Sequence, residues 1–414
     1  MGFSQGTLPT TGLGVLAILL TSSTLAMDTH VDPTTGRIRT LLGGFPSQGA
    51  GWPAWAEVFL FAMEDPRFDV RAPVPHLGLD NPSVDLVYSR RVARIYMPRT
   101  YEAFLDNTDL IVLANIDLRV FTPENIAWFR DSVLNEGLGL LMTGGSQGFG
   151  AYGGFPSWAD TVLNDILPVD CSPGEQSKSY LVKFRIVDPE NELAQSIPWE
   201  EAPCFFPYNF VTPRQGCKLI IVSRNSEETP LYFYWDIGEG RFVGVQNIFG
   251  VFGCDFMNWA YFQDSVLNVY YYTVAVPLPP DPLVAHELRR KWHEFDLQKK
   301  LLISLVEFAD RFGANLRQVE EGVRGVEALK KSADQIYLDH DLEAALQGMR
   351  QAISEAEQVG VMAMRAKDRV FIWVYLIEWL TVSGVLITSG VVLWTLMVRR
   401  KAYKEVGLTR GLAS

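Results

Sequence analysis

Between residues 38 and 145, short unbroken apolar runs alternate with segments of helical spacing. The runs are IRTLLGGF (38–45), DVRAPVP (69–75), DLIVLANID (109–117) and LGLLMTGG (138–145). A continuous apolar run of this length fits a strand covered on both faces. WPAWAEVFLFAME (52–64) and TPENIAWFRDSVLNEG (122–137) lie between them with helical spacing. The second opens on Thr122 as a cap, carries Pro123 in its first turn and closes on Gly137, the start and stop signals of a helix. This alternation predicts the α/β class, a parallel sheet with helices on both faces.

The pattern continues with a helical SWADTVLNDILPV (157–169) and strands at 180–188 and 216–223. Residues 230–247 read as a β-hairpin around Gly238-Glu239-Gly240, and 256–274 as a closing helix. PLPPDP (277–282) is a stiff linker that ends an α/β domain spanning 36–276. Residues 283–369 then become rich in Ala, Glu, Lys, Leu and Arg and predict a helical hairpin that turns at YLDHD (337–341). Gly313 in RFGANL is a point where its first helix can break. Such a hairpin serves equally as a plain stalk or as a partner-binding element.

The two ends differ from both. Residues 1–26 carry an apolar run from Gly12 to Leu20 followed by small residues up to Ala26, which reads as a signal peptide despite an amino end without Lys or Arg. Val370 to Val398 is apolar apart from Glu378 and small hydroxyl residues. As a helix it spans about 43 Å, more than a hydrocarbon core, so Glu378 can sit near one interface with Trp373 and Trp379. The tail, 399–414, holds Arg399, Arg400, Lys401, Lys404 and Arg410 against Glu405. That bias predicts a single-pass protein of the cell membrane, with an extracytoplasmic amino-terminal domain and a cytoplasmic carboxyl terminus.

Composition narrows the partners. The formal net charge of −12 argues against nucleic acid. The lipid bilayer and other membrane or envelope proteins are the expected partners, with a homo-oligomer as the alternative. Cys171, Cys204, Cys217 and Cys254 all fall in the predicted exported part, so two disulfides of unspecified pairing are expected, against four buried thiols. No pair has C-x-x-C spacing, and neither a metal site nor a cofactor is read.

Candidate chemistry centres on Gly144-Gly145-Ser146-Gln147-Gly148, which fits the G-x-S-x-G nucleophile elbow. An elbow needs a helix directly after the serine and a histidine later in the chain. Here QGFGAYGGFP follows, and the later histidines, His286, His293 and His340, fall in the helical region. His30 and His76 precede the serine.

DLIVLANID, the stretch from FTPENIAWF through MTGGSQGFGAYGGFPSWADTVLNDILPV, and IGEGRFVGVQN with its aromatic-rich helix resemble the class I glutamine amidotransferase-like domains, in the branch called "putative glutamine amidotransferase". The resemblance covers about residues 36–276. It implies a flavodoxin-like sheet, and it makes the glycines after GLLMT the oxyanion loop of active relatives. The chain lacks the G-x-C-x-G nucleophile and the downstream H-x-E that glutamine hydrolysis needs: Cys171 sits in DCSPG, and His286 and His293 are each followed directly by Glu. Catalytic residues are therefore not assigned. A ligand site remains at the carboxyl ends of the strands, where Gly44, Asn115, Asp117, Gly144, Gly145 and Ser146 collect. The leading expectation is a non-catalytic, membrane-anchored binding or scaffold protein; the alternative is an exported hydrolase acting on an amide, ester or glycan.

Overall fold

The computed structural model describes residues 31–44, 57–75, 82–176, 181–205, 209–225, 228–247, 255–311 and 316–411. The predicted signal segment, His30, His76 and Cys254 lie outside them.

In chain order the first elements are β1 (Ile38–Gly44), α1 (Glu57–Glu64), β2 (Phe68–Pro75), α2 (Pro82–Tyr96), α3 (Tyr101–Leu105), β3 (Leu110–Ala114), α4 (Pro123–Glu136) and β4 (Gly139–Thr143). Then come β5 (Val169–Gln176), β6 (Phe184–Ile186), α5 (Glu192–Gln195), β7 (Asn209–Pro213), β8 (Lys218–Ser223), β9 (Pro230–Ile237), β10 (Gly240–Val245) and α6 (Phe262–Thr273). The main sheet has the order β2-β1-β3-β4-β10-β9-β8-β6. Its first five strands are parallel, as the alternating pattern predicts, and the hairpin partner β9 turns it antiparallel. An order of 2-1-3-4 followed by a fifth parallel strand is that of flavodoxin-like sheets.

β3 and β4 are buried at every residue, which is why their sequences are apolar without alternation. Leu110, Val112 and Ala114 join one core with residues of α1 and α6; Ile111 and Leu113 join the other with residues of α3 and α4. α4 is capped as its sequence predicts: Thr122 and Asn125 form a reciprocal capping box, and Gly137 takes φ 79° at the end. α6 passes close over the sheet. A Cβ on Gly139 would lie 2.5 Å from the carbonyl oxygen of Thr273, so only glycine fits there.

Residues 157–169 are not one helix. They form two short 3-10 turns, and β5 begins at Val169. Ser157 and Thr161 each accept the amide two residues on, from Ala159 and Leu163, and these local bonds displace the helical ladder. β5 and β7 form a separate two-stranded sheet. Cys171 and Cys217 are free thiols and Cys204 is disulfide-bonded, so the four cysteines do not form two disulfides.

The helical part comprises α7 (Pro282–Arg311), α8 (Arg317–Leu338) and α9 (Leu342–Gly411). α8 turns into α9 at 339–341, where His340 takes φ 68° and Asp341 caps α9, as YLDHD suggests. α7 is a third helix that runs alongside α9 in the same direction: Arg350 pairs with Glu287 at 2.5 Å, and the rings of Phe371 and Phe308 lie 5.5 Å apart. α8 packs closely on α9 through Gly322 beside Val359 and Gly348 beside Ala333. The shared core ends near Ala363, while α9 continues unbroken as an exposed apolar helix. Among the described residues α9 is the one helix long and apolar enough to cross a membrane.

Candidate functional site

The carboxyl ends of β3, β4 and β10 meet at the 144–148 turn. Asn115 leaves β3 with φ 49°, a left-handed conformation that asparagine tolerates better than most residues, and its side-chain oxygen accepts the amide of Gln147 at 2.8 Å. Asn209, at the start of β7, reaches in from 64 residues away. Its Oδ1 accepts the amide of Gly145 at 2.9 Å, and its Nδ2 donates to the carbonyls of Gly145 and Gly148, each at 3.0 Å. Its own amide donates to Gln246 Oε1 at 3.2 Å. The amides of Gly144 and Gly148 donate to the carbonyls of Val245 and Gly145. Of the five backbone N–H groups from 144 to 148, four are therefore spent inside the protein.

This arrangement does not fit a nucleophile elbow. In that motif the residue after the serine supplies an oxyanion-hole amide; here that amide, of Gln147, is held by Asn115. No helix follows Ser146, and the left-handed backbone falls at Gly145, Phe149 and Ala151 rather than at the serine. Ser146 is half-buried, and its hydroxyl makes no hydrogen bond among the described residues. Asp117, expected beside a ligand, caps the turn Leu118–Val120 and pairs with Arg119 at 2.6 Å. Gly44 ends β1 in register with Ala114. A fluorophosphonate probe on the full chain is expected to leave Ser146 unmodified. Labelling that disappears in Ser146→Ala would restore the hydrolase reading.

The three later histidines sit elsewhere, between the α/β domain and the helices. His286 Nδ1 lies 2.6 Å from Asp264 Oδ2, and His293 Nδ1 lies 3.0 Å from Glu64 Oε1. His340 Nδ1 lies 3.4 Å from Arg67, which precedes β2 at the end of the sheet opposite Ser146. The described thiols offer no nucleophile either. Burial pushes both Cys171 and Cys217 up to about 12, and a thiol that stays protonated does not attack a carbonyl.

The histidines belong to a buried polar seam. Arg289 of α7 donates to Asp264 Oδ1 at 2.7 Å and to Asn268 Oδ1 at 2.8 Å, both on α6. Tyr271 donates to Asp65 Oδ2 at 2.8 Å and meets the hydroxyl of Tyr337 on α8 at 2.9 Å. Arg289 and Asp264 are each 2 % exposed, so the pair is effectively dry. Neither this seam nor the clamp by Asn209 is visible in the sequence, because each joins residues distant along the chain with no motif between them.

The family described as "Putative glutamine amidotransferase" matches residues 56–274, just over half of the chain. Among solved structures, the cytoplasmic protein STM3548 from Salmonella typhimurium is similar at 17 % identity and a TM-score of 0.46, over 57 % of this chain and 99 % of that one. The cytoplasmic protein STM1381 from Salmonella typhimurium LT2 is similar at 19 % identity and a TM-score of 0.46, over 56 % and 99 %. The exo-beta-1,4-mannosidase Op5Man5 from Opitutaceae bacterium strain TAV5 aligns at 11 % identity and a TM-score of 0.30, over 58 % of this chain and 36 % of that one. No curated protein matches the chain.

Proposed function

The chain belongs to the "Putative glutamine amidotransferase" family, and on that premise we propose that it is a member without glutaminase chemistry, a membrane-anchored scaffold that holds its α/β domain away from the bilayer for a membrane or envelope partner. The observation that carries this reading is mechanical continuity. The α/β domain is joined to α7 and α8 by the buried seam around Arg289 and Tyr337, and both helices pack along α9, which continues into the apolar segment. From Leu342 to the start of that segment α9 rises about 42 Å. A flexible tether would suffice to keep an enzyme near a membrane; a packed three-helix column fixes height and orientation, which suits assembly.

The chemistry agrees. Cys204 is in a disulfide, Cys171 and Cys217 are protonated thiols, and the turn that serves active relatives as an oxyanion loop has four of its five amides occupied. The predicted signal segment, the basic tail after Val398 and the disulfide support an extracytoplasmic α/β domain and a cytoplasmic carboxyl terminus. The test is purification of the intact chain from its native membrane in mild detergent, followed by native mass measurement. A defined complex with other membrane subunits is expected. A lone monomer or homo-oligomer that releases ammonia from glutamine would overturn the reading.

A further inference from the structure

A cleft of about 220 Å3 opens between α2 and the amino end of α4. Arg90, Arg94 and Arg119 line it, and the buried Val120 and Phe121 contribute apolar surface. The turn Leu118–Val120 directly follows β3, so the cleft lies on the carboxyl-end side of the sheet, where open α/β sheets take ligands, yet apart from the closed 144–148 turn.

The charges of Arg90 and Arg94 are not neutralised by a carboxylate among the described residues. Arg90 and Arg94 are four residues apart on α2 and share a face, where like charges repel. Arg90 Nε donates to the carbonyl of Arg119 at 2.7 Å, which fixes its guanidinium and leaves both terminal nitrogens without a partner among the described residues. Arg94 has no hydrogen-bond or carboxylate partner among them. Arg119 is oriented by Asp117 through Nε and Nη2 and keeps Nη1. Arg39, Arg130, Arg214 and Arg241 of the same domain each have a carboxylate within 3.0 Å. No carboxylate side chain lines the cleft. The first turn of α4 adds the positive end of its dipole, although Thr122 and Asn125 cap one another.

We propose that this cleft binds a small soluble organic oxyanion, a phosphate ester or carboxylate, whose charged group is held by Arg90 and Arg94 and whose body rests on Val120 and Phe121. Guanidinium forks suit both oxyanions, since each presents paired acceptor oxygens. The volume admits a metabolite fragment rather than a nucleotide.

The test is calorimetric titration of the full chain in detergent, at low ionic strength, with inorganic phosphate and separately with succinate. Saturable binding of at least one is expected, and which one binds more tightly distinguishes the tetrahedral from the planar group. Arg94→Gln should weaken it about tenfold, the loss of one charge-assisted contact. Arg91→Gln is the control, because Arg91 is exposed on the same helix but does not line the cleft. It should stay within about twofold of the parent, as a residue outside the contact shell does. Saturation by neither probe, or equal weakening by both variants, would overturn the proposal, the latter by showing a general field effect. Arg94 is exposed, and an unchanged circular dichroism spectrum confirms the fold.

Discussion

Replacing Arg289 with methionine is expected to destabilise the chain by about 3–5 kcal/mol, the usual cost of leaving a buried charge without its partner. Asp264 would keep only the hydrogen bond with His286 Nδ1, at 2.6 Å, in a site that is 2 % exposed. Because Arg289 also holds Asn268, the contact between α6 and α7 would lose its central bonds. The expected signature is therefore more than a lower midpoint: thermal unfolding of the full chain in detergent, followed by tryptophan fluorescence, should separate into a step for the α/β domain and a step for the helices. The double variant Asp264→Asn with Arg289→Met should recover much of the loss, since it removes both charges. A shift below about 1 kcal/mol for the single variant would show that the seam does not couple the two parts.

The same seam predicts a pH dependence with opposite signs at its two aspartates. Burial alone would raise Asp264, but the hydrogen bond from His286 and the charge of Arg289 outweigh it and hold the carboxyl below its ordinary value of 3.8. Its stabilisation is thus present above 3.8 and is lost as pH falls through the lower folded value. Asp65 is raised by burial, which Arg289, the Arg67 amide and Tyr271 only partly oppose. Its contribution is present below 3.8 and declines as pH rises through the higher folded value. At neutral pH, Asp264→Asn should therefore destabilise the chain, while Asp65→Asn should be neutral or stabilising. The asparagine can still serve Arg67 and the rotatable hydroxyl of Tyr271. Equal losses for the two variants would contradict this assignment.

What could be read from the sequence was whatever a local pattern encodes. β3 and β4 announce themselves because a strand covered on both faces has no polar position to spare. α4 is legible from Thr122, Pro123 and Gly137, since helix ends are set by adjacent residues. Residues 157–169 mislead because their apolar spacing is helical while Ser157 and Thr161 bond their own backbone, and the pattern does not rank the two. α2 passes unnoticed because three arginines interrupt its apolar positions, and two of them, Arg90 and Arg94, line the cleft at its side. The polar seam depends on Asp65 meeting Tyr337 across 272 residues, a separation at which one sequence carries no pairing information. At the strand ends, Asn115 holds the Gln147 amide and Asn209 holds the Gly145 amide, while Asp117 pairs with Arg119, so these polar groups are taken up by the protein itself.

That last point can be measured. Asn209→Ala is expected to cost about 2–4 kcal/mol, because it leaves the buried Gly145 amide unpaired, at about 1–3 kcal/mol, and removes one of two donors from each of the Gly145 and Gly148 carbonyls, which keep the amides of Gly148 and Ala151. Asn209→Asp should be at least as damaging, since an oxygen would then face the carbonyls of Gly145 and Gly148 in place of the donating Nδ2. Gly148→Ala should also destabilise: its Cβ would lie 2.2 Å from the carbonyl oxygen of Thr143, a backbone atom that cannot swing aside. Ser146→Ala, in contrast, removes a hydroxyl without partners among the described residues from a half-buried position and should change stability by less than about 0.5 kcal/mol. Thermal unfolding of the four variants gives the ranking. An elbow built to present a nucleophile would tolerate loss of Asn209 while depending on its serine for activity. A turn built to close the top of the sheet depends on Asn209 and is indifferent to the serine. The hydrogen bonds at Gly145, Gln147 and Gly148 favour the second behaviour, and a loss below about 1 kcal/mol for Asn209→Ala would return the turn to the list of functional sites.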